Sequence, residues 1–93
     1  MDDLVRVDII VTGHVQGVFF RSSTLELAQS LRLLGWVENL PDGAVEIVAE
    51  GSSYAVESLI EWAKKGPHLA EVSDVRVRYE KPKGEFQTFM IME

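Results

Sequence analysis

The chain has 93 residues, 46% of them hydrophobic, and its 15 acidic residues outnumber its 9 lysines and arginines, which gives a formal charge of -6. This length favours a single domain over residues 1–93, and the acidic balance disfavours nucleic acid, which is normally bound through an excess of Lys and Arg. The absence of cysteine excludes disulfides, thiolate catalysis and zinc–thiolate sites. No apolar stretch approaches a membrane span and residues 1–4 lack the features of a signal peptide, so we expect a cytoplasmic protein without a membrane partner.

The first half of the chain predicts a strand, a helix and a hairpin. Apolar and polar residues alternate from Leu4 to Thr12, as in a strand with one buried face. Apolar positions then recur every three or four residues, which predicts a helix over 22–33. Strand-like runs at Trp36–Leu40 and Ala44–Glu50 flank the turn sequence Pro41-Asp42-Gly43, which predicts a hairpin.

The second half predicts another helix and two more strands. Gly51 to Ser53 offers N-cap candidates for a helix that ends near Gly66-Pro67. Alternation up to Glu80 predicts a strand, and Phe86 to Met92 predicts a short last strand. The order βαββαβ with a short extra C-terminal strand predicts an α+β ferredoxin-like sandwich, in which an antiparallel or mixed sheet carries both helices on one face.

The stretch from Gly13 to Arg21, which we call the cradle, joins the first strand to the first helix. Its glycines let successive backbone N–H groups converge, and the helix N-terminus adds the positive end of its dipole. Arg21 supplies a planar fork of donors for oxyanions. These are the properties of a phosphate site, and in an acidic protein a local site of this kind favours one small phosphorylated molecule.

Two motifs closely resemble the acylphosphatase family in length, order and spacing: the cradle, and the stretch from Gly35 to Val45 with Asn39 near its centre. The resemblance runs through nearly the whole chain. It implies an enzyme that hydrolyses the carboxyl–phosphate bond of an acyl phosphate to a carboxylate and inorganic phosphate. It also implies Arg21 and Asn39 as the catalytic pair, Arg21 holding the phosphoryl group and Asn39 orienting the attacking water. The other positions that it implies for phosphate binding are His14, Val15, Gln16, Gly17, Val18, Phe19 and Phe20.

The chemistry of this bond is consistent with such a site. The leaving carboxylate has a conjugate acid with a pKa of roughly 4 to 5, so it departs without a general acid. The enzyme must then only orient a water and hold the charged oxygens of a loose transition state. An asparagine amide can accept a proton of that water and donate to a phosphoryl oxygen. We therefore expect no metal and no cofactor, with a small acyl phosphate as the partner of a monomer.

Each of these residues also has a plainer interpretation. Arg21 would be a solvated surface arginine, Asn39 a turn residue, and His14 a loop histidine that points to solvent. Gln16 is interpreted as a structural brace that hydrogen-bonds the backbone of its own loop. The alternative function is a non-catalytic regulatory or phosphate-binding module on the same scaffold. An RNA-binding domain is disfavoured by the acidic charge and by the absence of a basic, aromatic strand motif.

Two positions depart from the family pattern. Arg32 stands where the family usually has glycine, so the residue best suited to a left-handed helix end is missing. Glu38 takes a position that is usually basic or uncharged, although alternation predicts that Glu38 and Asn39 face opposite sides of the sheet. We interpret the Asp and Glu residues, which are spread over the strands and helices, as solubility charges. The sequence does not predict the physiological acyl group, the oligomeric state beyond the expected monomer, or thermostability.

Overall fold

The computed structural model describes residues 3–92 as a five-stranded mixed sheet with two helices packed on one face, which confirms the predicted fold class. In chain order the elements are β1 (Leu4–His14), α1 (Phe20–Ser30), β2 (Leu34–Asn39), β3 (Val45–Ser52), α2 (Ser53–Ala63), β4 (Glu71–Glu80) and β5 (Phe89–Met92). Within this part of the chain, no helix has the length and apolar character needed to cross a membrane.

The sheet order β4-β1-β3-β2-β5 places the ends of β1 and β2 together. β3 runs antiparallel to both of these strands, so β1 and β2 point the same way and finish at the same end of the sheet. Val45 on β3 pairs with Val11 on one side and with Asn39 on the other. Two strand spacings, about 10 Å, therefore separate Asn39 from the strand that leads into the cradle.

The core lies between the sheet and the two helices. α2 packs over β1 and β3, while α1 packs over β2 and β5. Phe20 in the first turn of α1 is 2% exposed, and its ring centroid lies 5.1 Å from that of Trp62 on α2. This aromatic contact joins the two helices at the start of α1 and fixes where the helix begins. The apolar strand residues on this face that are 0% exposed are Val7, Ile9, Val11, Val37, Val45, Ile47 and Ala49.

Helix α1 differs from its predicted bounds at both ends, since it begins at residue 20 instead of 22 and ends at residue 30 instead of 33. Its end is a Schellman motif, in which the Leu33 and Arg32 N–H groups donate to the carbonyls of Ala28 and Gln29. Arg32 adopts the left-handed φ of 60° that this motif requires, although it carries a side chain. The predicted glycine role is therefore performed by an arginine, at the cost of backbone strain.

β1 and β4 are both longer than predicted because a bulge extends their pairing. The register shifts between Thr12 and Gly13, after which Gly13 pairs with Val72 and His14 with Glu71. Gly13 has a φ of 125°, and a Cβ there would lie 2.2 Å from the carbonyl oxygen of Glu71. Only glycine fits this approach, so the bulge turns the chain from β1 into the cradle.

The predicted N-cap of α2 is confirmed at Ser52, whose hydroxyl accepts a hydrogen bond from the Ala55 N–H at 3.1 Å. The predicted hairpin is confirmed as well, although its strands end one residue before Leu40 and begin one residue after Ala44. β5 is shorter than predicted and begins at Phe89, because the chain before it crosses the open face of the sheet.

The prediction that the acidic residues are solubility charges is wrong for an ion cluster on the open face, whose central pair of Arg6 and Glu50 is buried. Arg6 donates to Glu50 at 2.7 Å, to Glu85 at 3.0 Å and to Glu80 at 3.1 Å, and its guanidinium lies 4.9 Å from the centroid of the Phe86 ring. Its side chain is 8% exposed. This cluster holds the segment 81–88, which connects the two edge strands, against the sheet.

The backbone completes this cluster around Glu50, whose carboxylate also accepts hydrogen bonds from the Lys83 and Gly84 N–H groups at 2.8 and 3.2 Å. Burial alone would raise the pKa of Glu50, but these N–H donors and the Arg6 guanidinium outweigh it and hold the pKa below its ordinary value. Burial would lower the pKa of Arg6, and its three carboxylate partners raise it instead. Both side chains are therefore ionised, and their opposite charges offset each other.

Candidate active site

The loop between β1 and α1 alternates in backbone handedness. Gly17 has a φ of 76° and Phe19 a φ of 67°, so two left-handed residues flank Val18. Such alternation turns successive N–H groups to one side and forms a concave anion-binding nest. A Cβ on Gly17 would meet nothing within 4 Å, so this glycine is needed for its φ rather than for space. Phe19 adopts its left-handed conformation with a side chain that is 71% exposed, which is a strained arrangement of the kind found at functional sites.

The backbone N–H groups of this loop have no hydrogen-bond acceptor within residues 3–92. Among the described residues, no acceptor receives a hydrogen bond from the backbone N–H of any residue from Gln16 to Ser22. The first donor of the helix is Ser23, whose N–H donates to the Phe19 carbonyl at 3.0 Å. A row of unpaired donors at the start of a helix is a site for an anion or for water.

The two helices differ sharply at their N-termini although each has 11 residues. α2 is capped by the Ser52 hydroxyl, whereas the N-cap of α1 is Phe19, which has no side chain that can accept a hydrogen bond. The first turn of α1 contains no acidic residue. The positive end of the α1 dipole is therefore left without a compensating group from the protein.

Arg21 lies in the first turn of α1 and is half-buried. It forms no salt bridge and no side-chain hydrogen bond with any residue from 3 to 92. No acidic residue among residues 3–92 pairs with this guanidinium. It faces a cavity of about 270 Å³ at the mouth of the cradle.

Asn39 is the last residue of β2, and it shares the helix-covered side of the sheet with the buried Val37. The structure brings Asn39 into the same cavity as the cradle and Arg21, across the intervening end of β3. An anion donor set and a neutral amide, predicted from separate motifs, therefore meet in one space. The cavity is lined by Val15, Gly17, Phe19, Phe20, Arg21, Ser22 and Asn39.

Three of the seven residues predicted to bind phosphate beside Arg21 do not line this cavity. His14 is exposed, Val18 is 4% exposed and belongs to the core, and the side chain of Gln16 turns away toward the β2–β3 hairpin. Ser22 was not predicted, yet it lines the cavity and its hydroxyl donates to the Phe19 carbonyl at 3.3 Å. Its place in the first helical turn, beside an anion site, is the signal that could have found it.

Glu38 lies on the open face, as the strand alternation predicts, and is directly opposite Glu46 in the β2–β3 ladder. Burial and the nearby carboxylates of Asp8 and Glu38 raise the pKa of Glu46 to about 7, and Arg78 opposes this only in part. The sheet separates this acidic group from the cavity. The unusual glutamate therefore makes no polar contact with the residues that line the cavity.

The acylphosphatase family model matches residues 7–91. The chain is 55% identical over 91 residues to an acylphosphatase of Aeropyrum pernix, with 97% of this chain and 90% of that protein covered. It is 51% identical over 92 residues to an acylphosphatase of Acaryochloris marina, with 99% and 98% covered. The crystal structure of the acylphosphatase from Bacillus subtilis superimposes with a TM-score of 0.92 at 38% identity, covering 96% of this chain and 99% of that one. Sequence, fold and the joined motifs agree, and the chain belongs to the acylphosphatase family of hydrolases that act on acyl phosphates.

Proposed function

We propose that the cradle and Arg21 bind the phosphoryl group of an acyl phosphate and that Asn39 orients the water that attacks it. The observation that carries this proposal is the cavity lined by Arg21, by Asn39 and by loop residues whose N–H groups, like Arg21, have no partner within residues 3–92. The phosphoryl group carries negative charge before, during and after the reaction, so donors that need no proton transfer suit it at every stage.

The binding step uses the backbone and Arg21 together. The N–H groups from Gln16 to Ser22 would donate to the phosphoryl oxygens, with the α1 dipole behind them. Arg21 would donate from its planar guanidinium and neutralise the charge that spreads over the equatorial oxygens. Because these donors have no partner within the described chain, substrate does not have to displace a protein carboxylate.

Asn39 supplies orientation and not basicity. Its amide oxygen accepts a hydrogen bond from water, while its NH2 group donates to a phosphoryl oxygen, which places the water for in-line attack. The amide is too weak a base to remove a proton. The water proton is therefore lost late, or it passes to a phosphoryl oxygen of the substrate, as the P–O bond to the carboxylate breaks.

The identity of the leaving group makes a metal unnecessary in this mechanism. A carboxylate leaves as a stable anion, whereas an alkoxide requires an acid or a metal to stabilise it. We therefore expect hydrolysis of acyl phosphates but not of ordinary phosphate esters. The monomeric state stays a prediction. The cytoplasmic location stays a prediction.

Hydrolysis of benzoyl phosphate by the purified protein in the presence of a chelator tests the proposal. We expect accelerated release of benzoate that the chelator does not reduce, and no release of alcohol from a phosphate ester. Inactive folded protein would leave the non-catalytic phosphate-binding module as the better account, and inhibition by the chelator would contradict the metal-free mechanism.

The Asn39→Ala variant tests the water-orienting role separately. The cradle and Arg21 are unchanged in this variant, so we expect inorganic phosphate to inhibit or bind as in the wild type while kcat falls by roughly 10²- to 10³-fold. A kcat close to that of the wild type would show that Asn39 does not position the water.

A further inference from the structure

The side chain of Gln16 reaches out of the cradle and into the hairpin that follows Asn39. Its Nε2 atom donates to the carbonyl of Leu40 and to the carbonyl of Ala44, both at 2.8 Å. These bonds use both hydrogens of the amide, which is only partly exposed. The sequence interpretation was wrong about the target of this brace, because it holds the hairpin and not the backbone of its own loop.

The two carbonyls are the closing points of the hairpin turn. The Leu40 N–H donates to Ala44 O at 2.8 Å, and the Gly43 N–H donates to Leu40 O at 3.1 Å. The Asp42 carboxylate accepts from the Ala44 N–H at 3.0 Å. Each carbonyl that Gln16 contacts therefore already has one backbone donor, and the Gln16 amide adds a second to both, fixing the turn as a unit.

No other polar side-chain contact within residues 3–92 joins the cradle to this turn. Val15 and Val18 belong to the shared apolar core, and the β1–β3 ladder ends at the pair Val11–Val45. Apolar packing tolerates small sliding movements more readily than a pair of directed hydrogen bonds does. Gln16 is therefore the directed link between the two halves of the cavity.

We propose that Gln16 is a positioning residue that sets the distance and angle between the cradle and Asn39. This inference rests on the proposed function, since it assigns Gln16 to the placing of the water relative to the bound phosphoryl group. Leu40 directly follows Asn39, so the bond from Gln16 to the Leu40 carbonyl restrains the chain one residue after Asn39. A misplacement of about 1 Å in a reacting geometry costs as much as 10²-fold in rate.

The chemistry of the two acceptors explains why glutamine serves here. Glutamate would present a carboxylate to two carbonyl oxygens and could donate to neither. Asparagine is one methylene shorter, and methionine has a similar volume but no donor. Gln16→Met therefore removes the hydrogen bonds with the least change in shape. Gln29→Met is the matched control, because Gln29 is exposed on α1 and its side chain contacts no polar partner among the described residues.

The first readout is the separation of kcat from phosphate binding. In Gln16→Met we expect kcat for benzoyl phosphate to fall by about 10- to 100-fold, while the inhibition constant for inorganic phosphate changes by less than about threefold. Gln29→Met should match the wild type in both. A parallel loss of phosphate binding and turnover in Gln16→Met, or an unchanged kcat, would overturn the proposal.

The second readout is a double-mutant cycle with Asn39→Ala. If Gln16 acts through Asn39, then Gln16→Met should lower kcat by less than about twofold in the Asn39→Ala background. An undiminished effect in that background would show that Gln16 acts elsewhere, on folding or on the cradle alone.

The third readout does not require turnover. When inorganic phosphate is titrated into 15N-labelled wild-type protein, the amide signals of the cradle and of residues 40–44 should shift together, and in Gln16→Met only those of the cradle should shift. Hairpin signals that are silent in the wild type, or that respond equally in the variant, would overturn the positioning role. Wild-type inactivity toward benzoyl phosphate would instead overturn the proposed function, so the two failures are distinguishable.

Discussion

Arg6 and Arg21 carry the same guanidinium group but differ in whether a carboxylate of the described chain pairs with it. Arg6 lies on the open face of the sheet with an 8% exposed side chain and three carboxylate partners. Arg21 lies at the helix end of the cavity, and no carboxylate of the described chain pairs with it. The open face uses its guanidinium for stability, whereas the proposed function uses the guanidinium in the cavity to bind an anion.

The surroundings of Glu50 show what a filled anion site looks like in this molecule. Its carboxylate accepts from Arg6 and from two consecutive backbone N–H groups, those of Lys83 and Gly84. Gly84 has a φ of 66°, so a left-handed glycine contributes to this site as Gly17 does to the cradle. One arginine and successive N–H groups thus recur at both places. At Glu50 the anion belongs to the protein, and in the cavity the proposed function assigns it to the substrate.

The largest effect should follow from Arg21→Gln, which removes the unpaired cation. We expect kcat/KM for benzoyl phosphate to fall by roughly 10⁴-fold, about 5.5 kcal/mol of transition-state stabilisation, because the arginine neutralises phosphoryl charge in a partly buried site. Binding of inorganic phosphate should be lost as well. The free energy of unfolding in urea should change by less than about 0.5 kcal/mol, since Arg21 has no polar partner in the described protein. If Arg21→Gln lowered the free energy of unfolding but left phosphate binding intact, Arg21 would have the stabilising role that we assign to Arg6, and the contrast would be wrong.

The reverse pattern should follow from Arg6→Met, which removes the paired cation. The Glu50 carboxylate would stay buried without its charge partner, so we expect the free energy of unfolding in urea to fall by about 3 to 5 kcal/mol. The variant Arg6→Met/Glu50→Gln is the matched control, because it removes both charges and leaves a side-chain oxygen for one backbone N–H. It should recover much of the loss. At a temperature where Arg6→Met is folded, kcat/KM should stay within about twofold of the wild type, and a catalytic defect there would contradict the division of roles.

Local patterns in the sequence were sufficient for most of the fold and for part of the candidate site. Alternation, helical spacing and the Ser52 cap depend on residues close in the chain, and so does the succession from Gly13 to Arg21. The Arg6–Glu50 pair could not be predicted in this way, because its members are 44 positions apart and each alone resembles a surface charge. The contacts of Gln16 span 24 and 28 positions, and they depend on how the hairpin packs beside the cradle.

The position of Asn39 shows the same division. The family resemblance supplied the residue, but its meeting with Arg21 depends on β3 lying between two parallel-pointing strands, which is a property of the whole sheet. The bulge at Gly13 was missed because it requires a close approach to Glu71, far along the chain. The alternation of apolar and polar residues predicts a strand only as far as the alternation lasts. It does not show that a glycine lets the strand continue beyond that point.

Glu50 has an arginine and backbone N–H groups as hydrogen-bond partners, and Glu46 lacks them among the described residues. Glu46→Gln should therefore have a smaller effect on stability. The folded-state pKa of Glu46 is raised from 4.5 to about 7, so its contribution to stability is full below about pH 4.5 and is lost as the pH rises through about 7. The variant should therefore exceed the wild type in stability by about 1 kcal/mol at pH 8, after allowance for solvent screening on the open face, and the difference should shrink toward pH 5. Urea unfolding at several pH values measures it. A constant difference across this range would contradict the shifted titration.

The smallest effect is expected at a third arginine, Arg32. Here the backbone conformation, and not the charge, should determine the effect on stability. This exposed residue occupies the left-handed C′ position of α1 with a φ of 60°. A side chain in that conformation costs about 1 to 2 kcal/mol, and glycine gives back about 0.5 to 1 kcal/mol through its more flexible unfolded state. Arg32→Gly should thus stabilise the protein by about 0.5 to 1 kcal/mol with kcat/KM unchanged. Arg32→Ala retains the strain and removes the guanidinium, so it should match the wild type in urea. Equal stabilisation by both variants would attribute the effect to charge, and Arg32 would then resemble Arg6 and Arg21 in being governed by its guanidinium.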